Sequence, residues 1–325
     1  MNTLKTNYLG LTLKNPVIVS SSGLSSTPEK VKKLAENGAG AVILKSLFEE
    51  QINHEAGSLI SDNSYPEASD YILSYSKENS IGNYLNLIKE SKKLVDIPVI
   101  ASINCTGSTS WTSFAKKIEE AGADAIEINV YFLPNDIDKT SEKYESIYLK
   151  LAEKLKESVN IPISFKLGAF FTNPANLAKE LYYRKVDSLV LFNRFYAPDI
   201  DIDNFKMTTS DVFSSPADIR NTLRWTGILS DKLPKMELSA STGIHTGKDA
   251  IKMILSGATT VQVCSSLYKN GIEQLKTIIS EIEAWMKKNN FKSVDEFRGK
   301  MCYKNIPNPA MYERSQFMKH FSSHE

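Results

Sequence analysis

Eight short runs rich in Val, Ile and Leu punctuate this chain, and they limit its possible folds more than any other feature. They occupy residues 17–20, 41–45, 99–104, 125–130, 163–166, 188–192, 237–240 and 261–263. Each has the length of a strand. Most show little polar–apolar alternation, as expected of strands covered on both faces. Longer amphipathic stretches separate them. Residues 141–159 place Tyr144, Ile147, Tyr148, Leu151, Ala152 and Leu155 at helical spacing. Thr27-Pro28, Asn173-Pro174 and Ser215-Pro216 are helix starts, with a capping side chain followed by a proline whose missing N–H costs nothing there.

A weak repeat supports the same layout. Asn37-Gly38-Ala39-Gly40-Ala41-Val42, Ala121-Gly122-Ala123-Asp124-Ala125-Ile126 and Ser256-Gly257-Ala258-Thr259-Thr260-Val261 each place a glycine between a helix and a strand. Only glycine takes the left-handed helix-ending conformation without a Cβ penalty. Strands alternating with helices imply a parallel sheet, and eight is the number that closes a TIM (β/α)8 barrel. A doubly wound open sheet is the runner-up, but no GxGxxG follows the first strand.

The chain has 325 residues, which one such barrel can use. The expected division is a barrel over 1–301 and a C-terminal tail over 302–325, which is either a packing arm or lid or a plain surface tail. Residues 49–68 and 193–215 read as long loops inserted at one end. A net charge of +1 argues against a nucleic-acid partner. No apolar run long enough to span a membrane is present, and residues 1–5 lack a signal-peptide pattern. Three cysteines, Cys105, Cys264 and Cys302, argue against a disulfide framework and for a reducing, cytoplasmic setting. His54, His245, His320 and His324 show no metal-ligand spacing, so no metal is expected.

In this architecture function collects where strands end. Those ends carry Ser20-Ser21-Ser22-Gly23, Lys45-Ser46, Asn104-Cys105, Asn129, Lys166, Asn193-Arg194, Ser241-Thr242-Gly243 and Cys264-Ser265-Ser266. A strand-end lysine cannot be buried unpaired without large cost, so Lys45 and Lys166 point to an anionic or electron-rich ligand. The small, hydroxyl-rich turns after the last two strands suit a phosphate.

These residues together resemble the dihydroorotate dehydrogenases, FMN-dependent flavoproteins of pyrimidine synthesis, over residues 8–300. The resemblance rests on Asn15-Pro16 with Ser21-Ser22-Gly23, on Ala41-Val42-Ile43-Leu44-Lys45-Ser46, and on Glu127-Ile128-Asn129-Val130 with Pro134-Asn135. The most specific match is Thr242-Gly243-Ile244-His245-Thr246-Gly247-Lys248-Asp249-Ala250, followed by Val261-Gln262-Val263-Cys264-Ser265. It implies that Ser21, Ser22, Gly23, Lys45, Ser46, Asn129, Lys166, Thr242, Gly243, Cys264 and Ser265 hold FMN. Lys166 would lie near the flavin N1/O2 edge, and residues 242–250 would carry the phosphate. Lys45, Asn129, Asn135 and Asn193 would bind a dihydroorotate-like substrate.

The departures concern proton chemistry. In the family a Cys or Ser in the fourth-strand loop takes the C5 proton while hydride leaves C6 for flavin N5. Here the loop reads Asn129-Val130-Tyr131-Phe132-Leu133-Pro134-Asn135, and Phe132 and Leu133 cannot titrate. Cys105 and Tyr131 are the candidate replacements, which with Lys45 and Asn129 complete the expected catalytic set. The family's substrate loop is not recognisable; Asn79-Ser80-Ile81-Gly82 is a partial echo inside a predicted helix. The family's paired glycines have become Thr242-Gly243. The resemblance further implies a homodimer and, without the N-terminal membrane helices of quinone-using members, a small soluble acceptor such as fumarate or a partner protein. The expectations are therefore a dihydroorotate dehydrogenase with a displaced base, an FMN oxidoreductase with another substrate, or a non-catalytic barrel that binds a phosphate ligand.

Overall fold

All eight runs form strands in the computed structural model, with ends that move by a residue or two. They are β1 (Val17–Val19), β2 (Ala41–Ile43), β3 (Val99–Cys105), β4 (Ala125–Val130), β5 (Ile163–Leu167), β6 (Ser188–Leu191), β7 (Glu237–Ser241) and β8 (Thr260–Val263). The structure describes residues 3–48, 66–105, 111–130, 133–195 and 197–313, with backbone alone for 66–78, 105 and 111. Each strand pairs in parallel with the next, and β8 returns to β1 through Val261↔Val17 and Val263↔Val19. The sheet is a closed (β/α)8 barrel.

Both faces of every strand are buried, yet the two faces differ in kind. Outward residues such as Val42, Ile126, Ile128, Phe165, Leu189 and Leu238 join the layer beneath the helices. At the N-terminal end the inward residues are apolar, where Ile18, Ala41, Ile43, Ile100 and Ala125 pack on Tyr8, Leu9 and Leu13. Those last three belong to a hairpin of strands Thr6–Tyr8 and Leu11–Leu13. Elsewhere the interior is mostly polar: Ser102, Glu127, Ser164, Lys166, Ser188, Ser239, Thr260 and Gln262 are all buried, with Val190 level with Lys166. The weak alternation expected from sequence is corrected here. Glu-Ile-Asn in β4, Ser-Phe-Lys in β5 and Thr-Val-Gln-Val in β8 alternate with period two.

Helix boundaries follow the sequence signals. Thr27 caps Pro28–Glu36 by accepting from the Lys30 amide, and Asn173 caps Pro174–Tyr183 by accepting from Asn176. The 141–159 pattern becomes the helix Ser141–Ser158, which buries Tyr148, Leu151, Ala152 and Leu155. Ser215-Pro216 opens a single 3-10 turn before the helix Ile219–Lys232. The repeat glycines Gly38, Gly122 and Gly257 take φ values of 101°, 94° and 118°, the left-handed region that ends each helix and aims the chain at the next strand. Asn79–Gly82 lies within the long helix Pro66–Leu94.

The 193–215 segment is not wholly irregular. It contains an antiparallel hairpin, Pro198–Asp201 with Lys206–Thr209, whose Ile200, Phe205 and Met207 are exposed. Most of the 49–68 segment lies outside the described residues. The described part of the tail packs on the helix Ile219–Lys232, with the Tyr312 ring seated where Gly227 lacks a Cβ. No described helix is long and apolar enough to cross a membrane.

Candidate active site

A cavity of about 560 Å³ opens at the C-terminal ends of the strands. One wall comes from β1 and β8, through Ser20, Ser21, Gln262, Cys264 and Ser265. The other comes from β5 to β7, through Lys166, Asn193, Ser241, Thr242 and Gly243. Phe213 and Tyr268 form its rim, stacked with ring centroids 5.2 Å apart. Thus Ser21, Lys166, Asn193, Thr242, Gly243, Cys264 and Ser265, all singled out by sequence, share one cavity.

Lys166 is the buried cation of that cavity, whose wall also carries the more exposed Arg194. Its side chain is 9% exposed and lies 3.5 Å from Glu127 Oε1, which is 1% exposed. The ammonium donates to Ser20 Oγ at 3.1 Å and to Gln262 Oε1 at 3.4 Å. Gln262 Nε2 donates to Glu127 Oε2 at 2.8 Å, and Ser20 Oγ donates to Gln262 Oε1 at 3.1 Å. The buried lysine therefore has a counter-ion from the neighbouring strand in addition to whatever the cavity receives. Ser20 stands among the strand-end residues of the sequence reading, whereas Glu127 and Gln262 lie within the quoted motifs without being marked as functional. The placement of Glu127 two before Asn129 and of Gln262 two before Cys264 was the available signal.

The remaining candidates divide into those next to the cavity and those away from it. Asn129 lies behind Asn193, whose Nδ2 donates to Asn129 Oδ1 at 3.1 Å. Ser46 is buried behind Ser21. Its amide donates to Ser21 Oγ at 2.9 Å, the two hydroxyls are 3.0 Å apart, and Ser46 Oγ reaches Ser102 Oγ at 2.7 Å. Ser22 caps the turn Gly23–Ser25, and Gly23 leaves room for the Tyr268 hydroxyl, which would lie 2.9 Å from a Cβ there. Lys45 is exposed and is not on the cavity wall; its amide donates to Ser25 O at 3.3 Å. Asn135 is also exposed, in the loop after β4. Tyr131 and the Cys105 side chain lie outside the described residues.

The turn after β7 keeps the backbone that a glycine pair would give. Thr242 has φ 77° and Gly243 has φ 79°. A threonine rarely adopts that conformation; here its Oγ1 donates to Phe192 O at 3.0 Å. A Cβ on Gly243 would sit 2.3 Å from the Ile219 amide nitrogen, so glycine is required. Next to the turn, Thr246 and Asp249 form a capping box that starts the helix Gly247–Ser256. His245 hydrogen-bonds Ser214 Oγ through Nε2 at 3.1 Å, and Ser265 Oγ accepts from the Ser214 amide at 3.0 Å. Burial pushes the His245 imidazole below its ordinary value, with the Lys269 charge adding to the effect. Burial pushes the Cys264 thiol up, against a hydrogen bond with Ser22 and the Lys166 charge. Cys264 is thus held as a thiol on the cavity wall. No group of three or more His, Cys, Asp or Glu able to hold a metal occurs among the described residues.

Comparison with known proteins bears on this site. A family model described as dihydroorotate dehydrogenase matches residues 3–286. The chain is 28% identical over 307 residues to a protein of Thermoplasma volcanium named dihydroorotate dehydrogenase B (NAD(+)), catalytic subunit, covering 92% of this chain and 98% of that one. It is 25% identical over 324 residues to dihydroorotate dehydrogenase A (fumarate) of Lactococcus lactis, covering 92% and 99%. A Saccharomyces mikatae protein named dihydroorotate dehydrogenase (fumarate) is 26% identical, covering 92% and 98%. The matched span takes in every barrel strand and both walls of the cavity, and the chain belongs to the dihydroorotate dehydrogenase family.

Proposed function

We propose that the protein is an FMN-dependent oxidoreductase that converts dihydroorotate to orotate in pyrimidine synthesis. The observation that carries this reading is the buried Lys166 ammonium on the wall of a cavity at the strand ends. At about 560 Å³ the cavity falls within the range usual for cofactor sites, roughly 300–1,000 Å³. Its donors suit an anionic, acceptor-rich group: the Lys166 ammonium, the Asn193 amide, the hydroxyls of Ser21 and Ser265, and the left-handed Thr242-Gly243 turn. FMN, when bound, would supply the hydride-accepting chemistry that no side chain possesses.

Within that reading Lys166 holds the ring edge, and Thr242, Gly243, Cys264 and Ser265 hold the phosphate. Ser21, Ser22, Gly23, Lys45, Ser46 and Asn129 complete the cradle. The Asn129–Asn193 hydrogen bond fixes both amides, so each presents one defined polar edge to substrate. Lys45 and Asn135, both exposed, reach substrate from the open side. Cys105 or Tyr131 takes the substrate proton in place of the family's loop base. Electrons pass to a small soluble acceptor or a partner protein. The protein works as a homodimer in the cytoplasm, with a barrel over 1–301 and a tail over 302–325.

A second reading, an FMN oxidoreductase with another substrate, is favoured by one observation. Phe132 and Leu133 stand where the family's base belongs, and Leu133 is 57% exposed. Anaerobic mixing of the FMN-loaded protein with dihydroorotate separates the two. Bleaching at a catalytically useful rate supports the first; bleaching by dithionite alone supports the second. A colourless protein that takes up no FMN overturns both and leaves the phosphate-binding barrel. Cys105→Ala and Tyr131→Phe then identify the base by which of them abolishes bleaching.

A further inference from the structure

Glu127 has no part in the roles assigned so far, yet it is the most deeply buried carboxylate against the site. Its register partner on β3 is Ser102, and it lies one inward position below Asn129 on β4. Lys166 is level with Asn129 on β5. The ammonium already has two neutral acceptors, Ser20 Oγ and Gln262 Oε1. Glu127 Oε1, 3.5 Å away, accepts no hydrogen bond among the described residues. Glu127 Oε2 is used differently: it accepts from Gln262 Nε2 and turns that amide so that its oxygen faces Ser20 and Lys166. One oxygen orients Gln262, while the other contributes charge.

We infer that Glu127 is a positioning residue that offsets the Lys166 charge and so sets how strongly the cavity prefers reduced over oxidised FMN; this rests on the FMN reading above. The pair carries no net charge into a poorly hydrated interior, where a unit charge acts over several ångströms with little screening. An ammonium without Glu127 would favour the more electron-rich form of a bound cofactor. The carboxylate holds that preference down. A purely structural Glu127 would orient Gln262 and nothing more, and Gln at 127 could keep an acceptor for it.

Charge arithmetic separates these accounts. The Lys166–Glu127 pair sums to zero, Glu127→Gln leaves one positive charge, Lys166→Met leaves one negative charge, and the double variant again sums to zero. The measurement is the affinity ratio of reduced to oxidised FMN, from equilibrium dye titration of each FMN-loaded protein. Glu127→Gln should raise the ratio on the order of tenfold, ~30 mV upward for a two-electron couple. Lys166→Met should lower it by about as much, and the double variant should return to within about threefold of wild type. A double variant that keeps the Lys166→Met value overturns the inference, as does a Glu127→Gln protein with the wild-type ratio. If Glu127→Gln does not fold, Lys166→Met against the double variant decides alone. Wild-type protein that takes up no FMN overturns the cofactor reading and this inference with it. FMN uptake by wild type with the wrong pattern overturns this inference only.

Discussion

Replacing Gly243 with alanine should cost about 3 kcal/mol of stability and displace the turn proposed to hold the FMN phosphate. Gly243 has φ 79°, where a residue with a Cβ pays ~1–2 kcal/mol. The added methyl would lie 2.3 Å from Ile219 N, 2.8 Å from its Cα and 2.9 Å from the Asp218 carbonyl carbon. These are backbone atoms at the start of the helix Ile219–Lys232, so the helix start must move. That movement disturbs the cap in which the Ser215 amide donates to Asp218 Oδ2 at 2.8 Å. Losing such a cap costs about 1 kcal/mol. For a chain of 325 residues the sum lowers Tm by roughly 4 °C. Thr242→Gly is the matched control. It relieves ~1 kcal/mol of left-handed strain but loses a hydrogen bond to Phe192 O that is worth about as much. The assay is thermal unfolding by circular dichroism without cofactor, followed by FMN titration. Gly243→Ala should melt lower and bind FMN at least about tenfold more weakly, the equivalent of ~1.4 kcal/mol; Thr242→Gly should change neither. A Gly243→Ala protein that melts within about 2 °C of wild type refutes the argument, because the crowding would then be absent.

Three further outcomes follow from the geometry. Burial holds the Glu237 carboxyl above its ordinary value of 4.5, against the Leu9 amide and Arg298, which pull it down. The native state therefore keeps a proton that the unfolded chain releases. The stability this contributes is fully present below pH 4.5 and is lost as pH rises through the folded value. Glu237→Gln should flatten that limb of the denaturant midpoint against pH, and an unchanged slope would show that another group sets it. Asn129→Ala and Asn193→Ala should couple by about 0.5–1.5 kcal/mol in ligand binding, and additive losses would separate the two amides. Gly227→Ala places a Cβ 2.3 Å from the Tyr312 ring and should lift the tail, seen as faster C-terminal proteolysis with under ~1 kcal/mol lost from the barrel. Equal loss from both would make the tail part of the barrel's cooperative unit.

The strands were legible because each keeps a Val-, Ile- or Leu-rich outward face beneath the helices, and eight such runs separated by helices leave few architectures; the polar inward face was not. Helix starts at Thr27 and Asn173 and stops at Gly38, Gly122 and Gly257 were legible because capping and left-handed φ demand particular residues. Lys166 could be located as a buried strand-end cation, but its partner could not. Glu127 lies on a different strand, and only the pairing Asn129↔Lys166 brings the two together. The left-handed Thr242 was readable only as an exception, since a Phe192 carbonyl distant in sequence supports it. The hairpin within 193–215 was missed because its strands are exposed and bury no apolar face.

The two unlike faces of the barrel strands have a consequence for assembly. Because side chains alternate along a strand, sliding β4 by one residue would turn Glu127 and Asn129 outward beneath the helices and bring Ile126 and Ile128 inside. Sliding β5 would do the same to Lys166. Each buried charge stripped of its partner costs several kcal/mol, a large fraction of a protein's whole stability. The ionic residues of the cavity thus penalise a barrel that closes out of step, since each charge would then lie buried without its partner. Substitutions that neutralise Glu127 and Lys166 together would preserve the correctly closed barrel while removing a penalty on its misaligned competitors.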